Sequence, residues 1–340
     1  MQTINALFRL IRPLNLAYMA LTQVLLQYAL IVPVFALVGE SPSLSHLQFL
    51  GLVLASLFIA AAGYIINDYF DIKADEINKP HKIYINRGIN RRTAMVIHLL
   101  LNGLGIGLGF LLAYQVGAPK LGFIQVAAVC LLWYYSVYFK KMFWVGNFVI
   151  AFLSALIVLS VAAFEPKIFD GTIFPFNLRD NLLVQYFLGY AGFAFWLTLI
   201  RELVKDMEDI SGDLQLNART IPIVLGIPVS KAIAWFMLVL FGAALVLYQI
   251  NAYSVGQVQS ISLIVAFLEI PLLYILYLLP YADKSSDFKY ISLLIKLLML
   301  MGILYLLFLR STLTYNEPTI EIPQGFEIEG IEMIDGTQTL

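Results

Sequence analysis

The chain has one cysteine, three histidines and little charge. A lone Cys130 excludes an intrachain disulfide, and its place in an apolar run predicts a buried, inert thiol. His46, His81 and His98 are too scattered for zinc spacing. Charged residues make up 13% of the 340, against about 25% in a soluble globular protein. A water-soluble domain is therefore excluded. No basic patch or recognition motif supports a nucleic-acid role, and nothing implies a protein partner.

Long apolar runs stand where the charge is missing. Stretches near 20 residues occur at about 14–38, 47–67, 93–115, 118–138, 143–163, 183–203, 231–250, 258–280 and 290–311. A helix needs about 20 mostly apolar residues to cross the hydrocarbon core. The chain reads as all-α, a polytopic integral membrane protein of about nine transmembrane helices, partnered by membrane lipid. Its first span is too long for a signal-peptide core, lacks a convincing cleavage site and is expected to stay.

A cytoplasmic N-terminus places 16 of the 21 Lys and Arg residues on the inner face. Lys120, Lys167, Arg179 and Arg310 are left outside, and Lys296 falls within the ninth span. The positive-inside bias thus predicts an inside N-terminus and an outside C-terminus, as in a bacterial-type inner membrane. Residues 1–311 form the transmembrane domain. Residues 312–340 carry six acids and no Lys or Arg, and are expected to form a poorly ordered extracytoplasmic tail.

One acidic pattern occurs twice. Asn67-Asp68-Tyr69-Phe70-Asp71-Ile72-Lys73-Ala74-Asp75 places aspartates at i, i+3 and i+7. Lys205-Asp206-Met207-Glu208-Asp209-Ile210-Ser211-Gly212-Asp213 repeats that spacing 138 residues later. On a helix each trio falls within a roughly 60° arc. Both trios fall on the predicted cytoplasmic side, at the start of long inner loops over about 68–92 and 204–230. Gly212 is expected to loosen the second helix. Helix ends on that face usually carry Lys or Arg, so a mere stop signal explains the aspartates poorly. Converging carboxylates invite hard cations, and Mg²⁺ is typically held by one or two carboxylates with substrate phosphates. The pattern reads as a metal–diphosphate site at a membrane surface.

Asn67-Asp68-x-x-Asp71-x-x-x-Asp75 resembles the first signature of the UbiA superfamily of intramembrane prenyltransferases. Lys205-Asp206-x-x-Asp209-x-x-Gly212-Asp213, followed by Arg219-Thr220-Ile221-Pro222 and Gly226, resembles the second. The likeness extends to span number, orientation and motif placement. It implies helices around an intramembrane cavity, Mg²⁺ as cofactor, and transfer of a prenyl group from an isoprenyl diphosphate to a lipophilic acceptor. Asn67, Asp68, Asp71 and Asp75 would serve one metal, and Asp206, Asp209 and Asp213 the other. Asp68, Asp71, Asp206 and Asp209 are the expected catalytic core. Lys82, Arg201 and Lys205 would contact phosphate oxygens.

Arg12-Pro13-x-Asn15 resembles a family element near the acceptor end, which makes Arg12 and Asn15 candidate substrate contacts. Tyr134-Tyr135-Ser136-x-Tyr138-x-Lys140-Lys141 resembles the family's Tyr-and-Lys element without its usual spacing, which leaves the tyrosine open and makes Lys140 a candidate. Asp75-Glu76-Ile77-Asn78-Lys79-Pro80-His81-Lys82 is similar to the subgroup of chlorophyll synthases and geranylgeranylglyceryl phosphate geranylgeranyltransferases. The chain then departs, with Lys82-Ile83-Tyr84-Ile85-Asn86-Arg87 where the family tends to read Arg-Pro-x-Pro-Ser-Gly. The leading expectation is geranylgeranyl transfer to geranylgeranylglyceryl phosphate. The alternative is an aromatic quinone precursor of the 4-hydroxybenzoate or 1,4-dihydroxy-2-naphthoate type. An ion-coupled transporter is a remote third reading, whose deep charges would be Glu269 and Lys296, a pair that could also join each other structurally.

Overall fold

Inside a bilayer every backbone N–H and C=O needs a partner within the protein, which helices provide from their own segment. The computed structural model describes residues 2–78, 83–86, 88–171, 173–175, 180–215, 217–254 and 258–315. Among these residues it contains helices and connecting turns, and no strand. Nine helices among them are long and apolar enough to cross a membrane: α1 (Pro13–Leu37), α2 (His46–Lys73), α3 (Arg91–Gln115), α4 (Pro119–Val137), α5 (Val145–Ala163), α6 (Leu182–Gln215), α7 (Ile227–Ser254), α8 (Val258–Tyr281) and α9 (Ser285–Leu313). A short amphipathic helix, Gln2–Leu10, precedes them and seats Ala6 and Leu10 near Ile65 of α2.

Helix length positions the acids. The α2 helix continues unbroken to Asn78, giving 33 residues, and α6 has 34. At 1.5 Å per residue each is about 50 Å long, well beyond the ~30 Å hydrocarbon core. The surplus turns carry the two aspartate trios. Both motifs therefore lie on continuous helix rather than in the loops expected from the apolar pattern. Gly212 does not loosen α6: it is buried within the helix, where packing outweighs its weak propensity.

Two apolar clusters hold the bundle. One joins Leu26, Leu30 and Phe35 of α1 to Leu52 of α2, Val158 of α5 and Phe187 of α6. The other gathers Leu199, Ile200 and Leu203 of α6 with Leu238 of α7, Leu272 of α8 and Ile291 of α9. Helices α1, α2 and α5 are the most buried, whereas α4, α7 and α8 form much of the periphery. Cys130 is consequently exposed on α4, contrary to the expected buried thiol. In a membrane an apolar run marks lipid contact as readily as core. Glu269 and Lys296 are not partners either: Glu269 accepts from Gln249 Nε2 at 2.9 Å, and Lys296 is bound elsewhere. Lys82 and the tail from 316 onward lie outside the described residues.

Candidate active site

The trios of α2 and α6 face one space. Asp68, Asp71, Asp75, Asp206, Asp209 and Asp213 all line a polar chamber of about 1130 Å³. An adjoining apolar chamber of about 380 Å³ runs between Met19, Ile59, Leu132, Leu153, Phe193 and Ile303. Arg12, Asn15, Asn67 and Tyr135 border both spaces, as do Arg201, Glu202, Lys205 and Lys296. These eight residues form the neck between a charged mouth and an apolar interior. Of the candidates named from sequence, only Lys82 is not described there.

Local chain geometry places the basic groups. Arg12 sits between the amphipathic helix and α1 in a left-handed conformation, φ 54° and ψ 64°. Pro13 follows and disfavours the right-handed helical region for the residue before it. The turn directs the guanidinium to α2, where Nη2 donates to Asp68 Oδ1 at 2.5 Å. The guanidinium also stands 4.9 Å from the Tyr64 ring centroid. Burial would lower the Arg12 pKa, but the neighbouring Asp68 carboxylate reverses that effect and holds it above its ordinary value. Lys140 reaches Asp71 from the turn after α4.

The second trio is anchored differently. Asn147 Nδ2 of α5 donates to Asp206 Oδ2 at 2.7 Å. One turn earlier on α6, the Glu202 carboxylate accepts from Arg201 Nη1 at 3.1 Å and from Lys205 Nζ at 2.9 Å. Two of the three expected phosphate contacts, Arg201 and Lys205, thus share one carboxylate. Tyr135 reaches the neck, whereas Tyr134 and Tyr138 are 51% and 60% exposed on the outside of the bundle. Of the three tyrosines, Tyr135 is the one that lines the two chambers. Lys296, absent from the sequence-based site, donates from Nζ to Asn15 Oδ1 at 2.7 Å.

The donor set suits a hard cation completed by substrate. Asn67 Nδ2 donates to Asp71 Oδ2 at 2.8 Å, which leaves its Oδ1 buried with no hydrogen-bond partner. A buried carbonyl oxygen beside carboxylates is an oxygen-ligand position for Mg²⁺. Among the described residues, no three His, Cys, Asp or Glu side chains are gathered closely enough to hold a metal by themselves. Phosphate oxygens would have to complete the coordination, as Mg²⁺ sites with few protein ligands require.

The sequence matches the UbiA prenyltransferase family over residues 26–311. It is 36% identical over 198 residues to the digeranylgeranylglyceryl phosphate synthase of Saccharolobus solfataricus, a match spanning 57% of this chain and 64% of that protein. A solved structure described for digeranylgeranylglyceryl phosphate synthase superposes with a TM-score of 0.59 at 24% identity, covering 90% of this chain and 99% of the other. A UbiA homologue from Archaeoglobus fulgidus, bound to GPP and Mg²⁺, superposes at 0.53 with 14% identity, covering 89% and 99%. The fold is shared across these proteins. With most of its length matched and both aspartate motifs lining one chamber, the chain belongs to the UbiA prenyltransferase family.

Proposed function

We propose that this enzyme transfers a geranylgeranyl group from its diphosphate to the free hydroxyl of geranylgeranylglyceryl phosphate, with Mg²⁺ as cofactor. The observation that carries this reading is the convergence of six aspartates on a polar chamber that opens into an apolar one. A prenyl diphosphate has the same two-part character. The Saccharolobus relative's name and the Asp75–Lys82 flank support the glyceryl phosphate acceptor, and the GPP- and Mg²⁺-bound homologue supports the donor and the metal.

Carboxylates of both trios, with Asn67 Oδ1, would hold the metal together with the donor's phosphate oxygens. Bound Mg²⁺ neutralises charge on the departing diphosphate. Arg201 and Lys205 face the same phosphates from the neck, and Glu202 fixes their positions. The apolar chamber takes the prenyl chain and keeps water from the allylic carbon, where the C–O bond to diphosphate breaks. The acceptor hydroxyl oxygen bonds to that carbon, and its proton passes to the released diphosphate, which leaves through the polar mouth. Asp68 and Asp71 pair with Arg12 and Lys140, partners that a bound metal would have to exchange. The positive-inside bias supports a mouth on the cytoplasmic side.

The test offers labelled geranylgeranyl diphosphate with geranylgeranylglyceryl phosphate, 4-hydroxybenzoate and 1,4-dihydroxy-2-naphthoate in parallel, with and without Mg²⁺. Mg²⁺-dependent labelling of the glyceryl phosphate supports the reading. Labelling of an aromatic acceptor instead moves the enzyme to the quinone branch.

A further inference from the structure

Among the described residues, the ninth helix carries the one neck cation that pairs with no carboxylate. Arg12 pairs with Asp68, while Arg201 and Lys205 share Glu202. Those are the other cations bordering both chambers. Among the described residues Lys296 has no carboxylate partner. Its Nζ donates to the Asn15 carboxamide at 2.7 Å and lies 4.6 Å from the Tyr18 ring centroid. Neither neighbour cancels a full charge. An ammonium carries three donors, and Asn15 takes one of them.

Position separates this lysine from the metal site. The aspartates come from α2 and α6, whereas Lys296 and Asn15 belong to the wall made by α9 and α1. Lys289, Ser292 and Lys296 follow i, i+3, i+7 spacing and all line the polar chamber, which gives α9 one polar stripe from mouth to neck. Past Lys296 the same stripe turns apolar, with Met299 and Ile303 lining the inner chamber. A basic group above an apolar track fits an amphiphile whose anionic head stops at the neck and whose chain continues inward.

The donor's diphosphate is matched to the metal wall. A second anionic head needs its own counter-charge, because two phosphates at one position repel. We propose that Lys296, held by Asn15 and assisted by Lys289, binds the phosphomonoester head of the acceptor lipid and makes the enzyme selective for a phosphorylated acceptor. This assignment rests on the glyceryl phosphate reading of the reaction. Lysine on a rigid stripe, with an amide fixing its head, is suited to a compact tetrahedral anion.

The experiment compares kcat/KM for geranylgeranylglyceryl phosphate and for geranylgeranylglycerol, which lacks the phosphate, in wild type, Lys296→Met and Lys296→Arg. Wild type should prefer the phosphorylated acceptor. Lys296→Met should shrink that preference by about 10- to 100-fold, the loss expected for one charge-assisted bond, and Lys296→Arg should restore much of it. KM for the prenyl diphosphate should stay within about twofold, a change too small for a lost phosphate contact. A wild-type preference near unity, an intact preference in folded Lys296→Met, or a rise in donor KM alone would overturn the assignment while leaving the reaction standing. A wild type that prenylates only aromatic acceptors would overturn the acceptor reading, and this assignment with it.

Discussion

Arg12 and Asp68 meet at 2.5 Å across the neck, joining the turn ahead of α1 to the first aspartate of the α2 motif. In the proposed reaction Asp68 would also hold the metal, so a bound metal would have to exchange this partner. Lys140 and Asp71 repeat the arrangement one turn along. Each pair sets a cation beside a part-buried carboxylate, where an isolated charge would be costly.

Glu202 is expected to govern how Arg201 and Lys205 present themselves. Glu202→Gln removes the charge that both cations share. Binding of prenyl diphosphate without Mg²⁺ should tighten, while turnover falls by about tenfold or more as the two side chains lose their fixed positions. Equilibrium binding in EDTA beside a kcat measurement checks this. Unchanged values for both would remove Glu202 from the site.

Tyr135 should matter where its neighbours do not. Tyr135→Phe removes the hydroxyl at the neck and should lower kcat by about tenfold, in the range of a lost polar contact to a reacting group. Tyr134→Phe and Tyr138→Phe, on exposed faces, should remain within about twofold of wild type. Equal losses in all three would contradict the geometry.

Gly146 supports Lys140 through backbone contact. A methyl group on Gly146 would stand 2.8 Å from the Lys140 Cα and 2.8 Å from the Phe139 carbonyl oxygen. Neither atom yields easily, and the Lys141 carbonyl is also tied to the Arg219 N–H at 2.8 Å. Gly146→Ala should cut kcat/KM by about tenfold or more through displacement of Lys140. Lys140→Met should then cost less on top of Gly146→Ala than in wild type, which a double-mutant cycle measures.

Glu165 gives a pH signature on the opposite side of the bundle. It accepts from the Ser43 N–H at 2.7 Å and from the Ser43 hydroxyl, and burial nevertheless holds its pKa above the ordinary carboxylate value. The folded state then binds this proton more tightly than the unfolded chain. Its contribution to stability is full below the unfolded pKa of about 4.5 and is lost as pH rises through the higher folded value. Glu165→Gln should flatten that part of the Tm–pH curve in detergent. A curve of unchanged slope would remove Glu165 as its source.

Much of this architecture was legible because the bilayer imposes simple rules. Apolar length marked nine spans, and i, i+3, i+7 spacing marked both aspartate trios that line one chamber. The helical extensions of α2 and α6 were less legible: polar residues beyond the hydrocarbon look alike in a loop and in an exposed turn. Tyr135 required knowledge of which α4 face turns inward. Lys296 carried a visible signal, its seven-residue offset from Lys289, but a charge inside the ninth span was equally readable as a structural partner of Glu269. Only its contact with Asn15, 281 positions away, separates it from that background. Cys130 shows the converse, an apolar setting that is lipid rather than core.

The most direct test of a shared metal–diphosphate site is Mg²⁺-dependent binding of geranylgeranyl diphosphate to wild type, Asp68→Asn and Asp206→Asn. Wild type should bind about 100-fold or more tightly with Mg²⁺ than in EDTA, the coupling expected when metal and substrate complete each other's coordination. Each single substitution should remove most of that gain, because both helices face the same diphosphate. Equal affinity with and without Mg²⁺, or a full Mg²⁺ effect in either folded variant, would contradict the account.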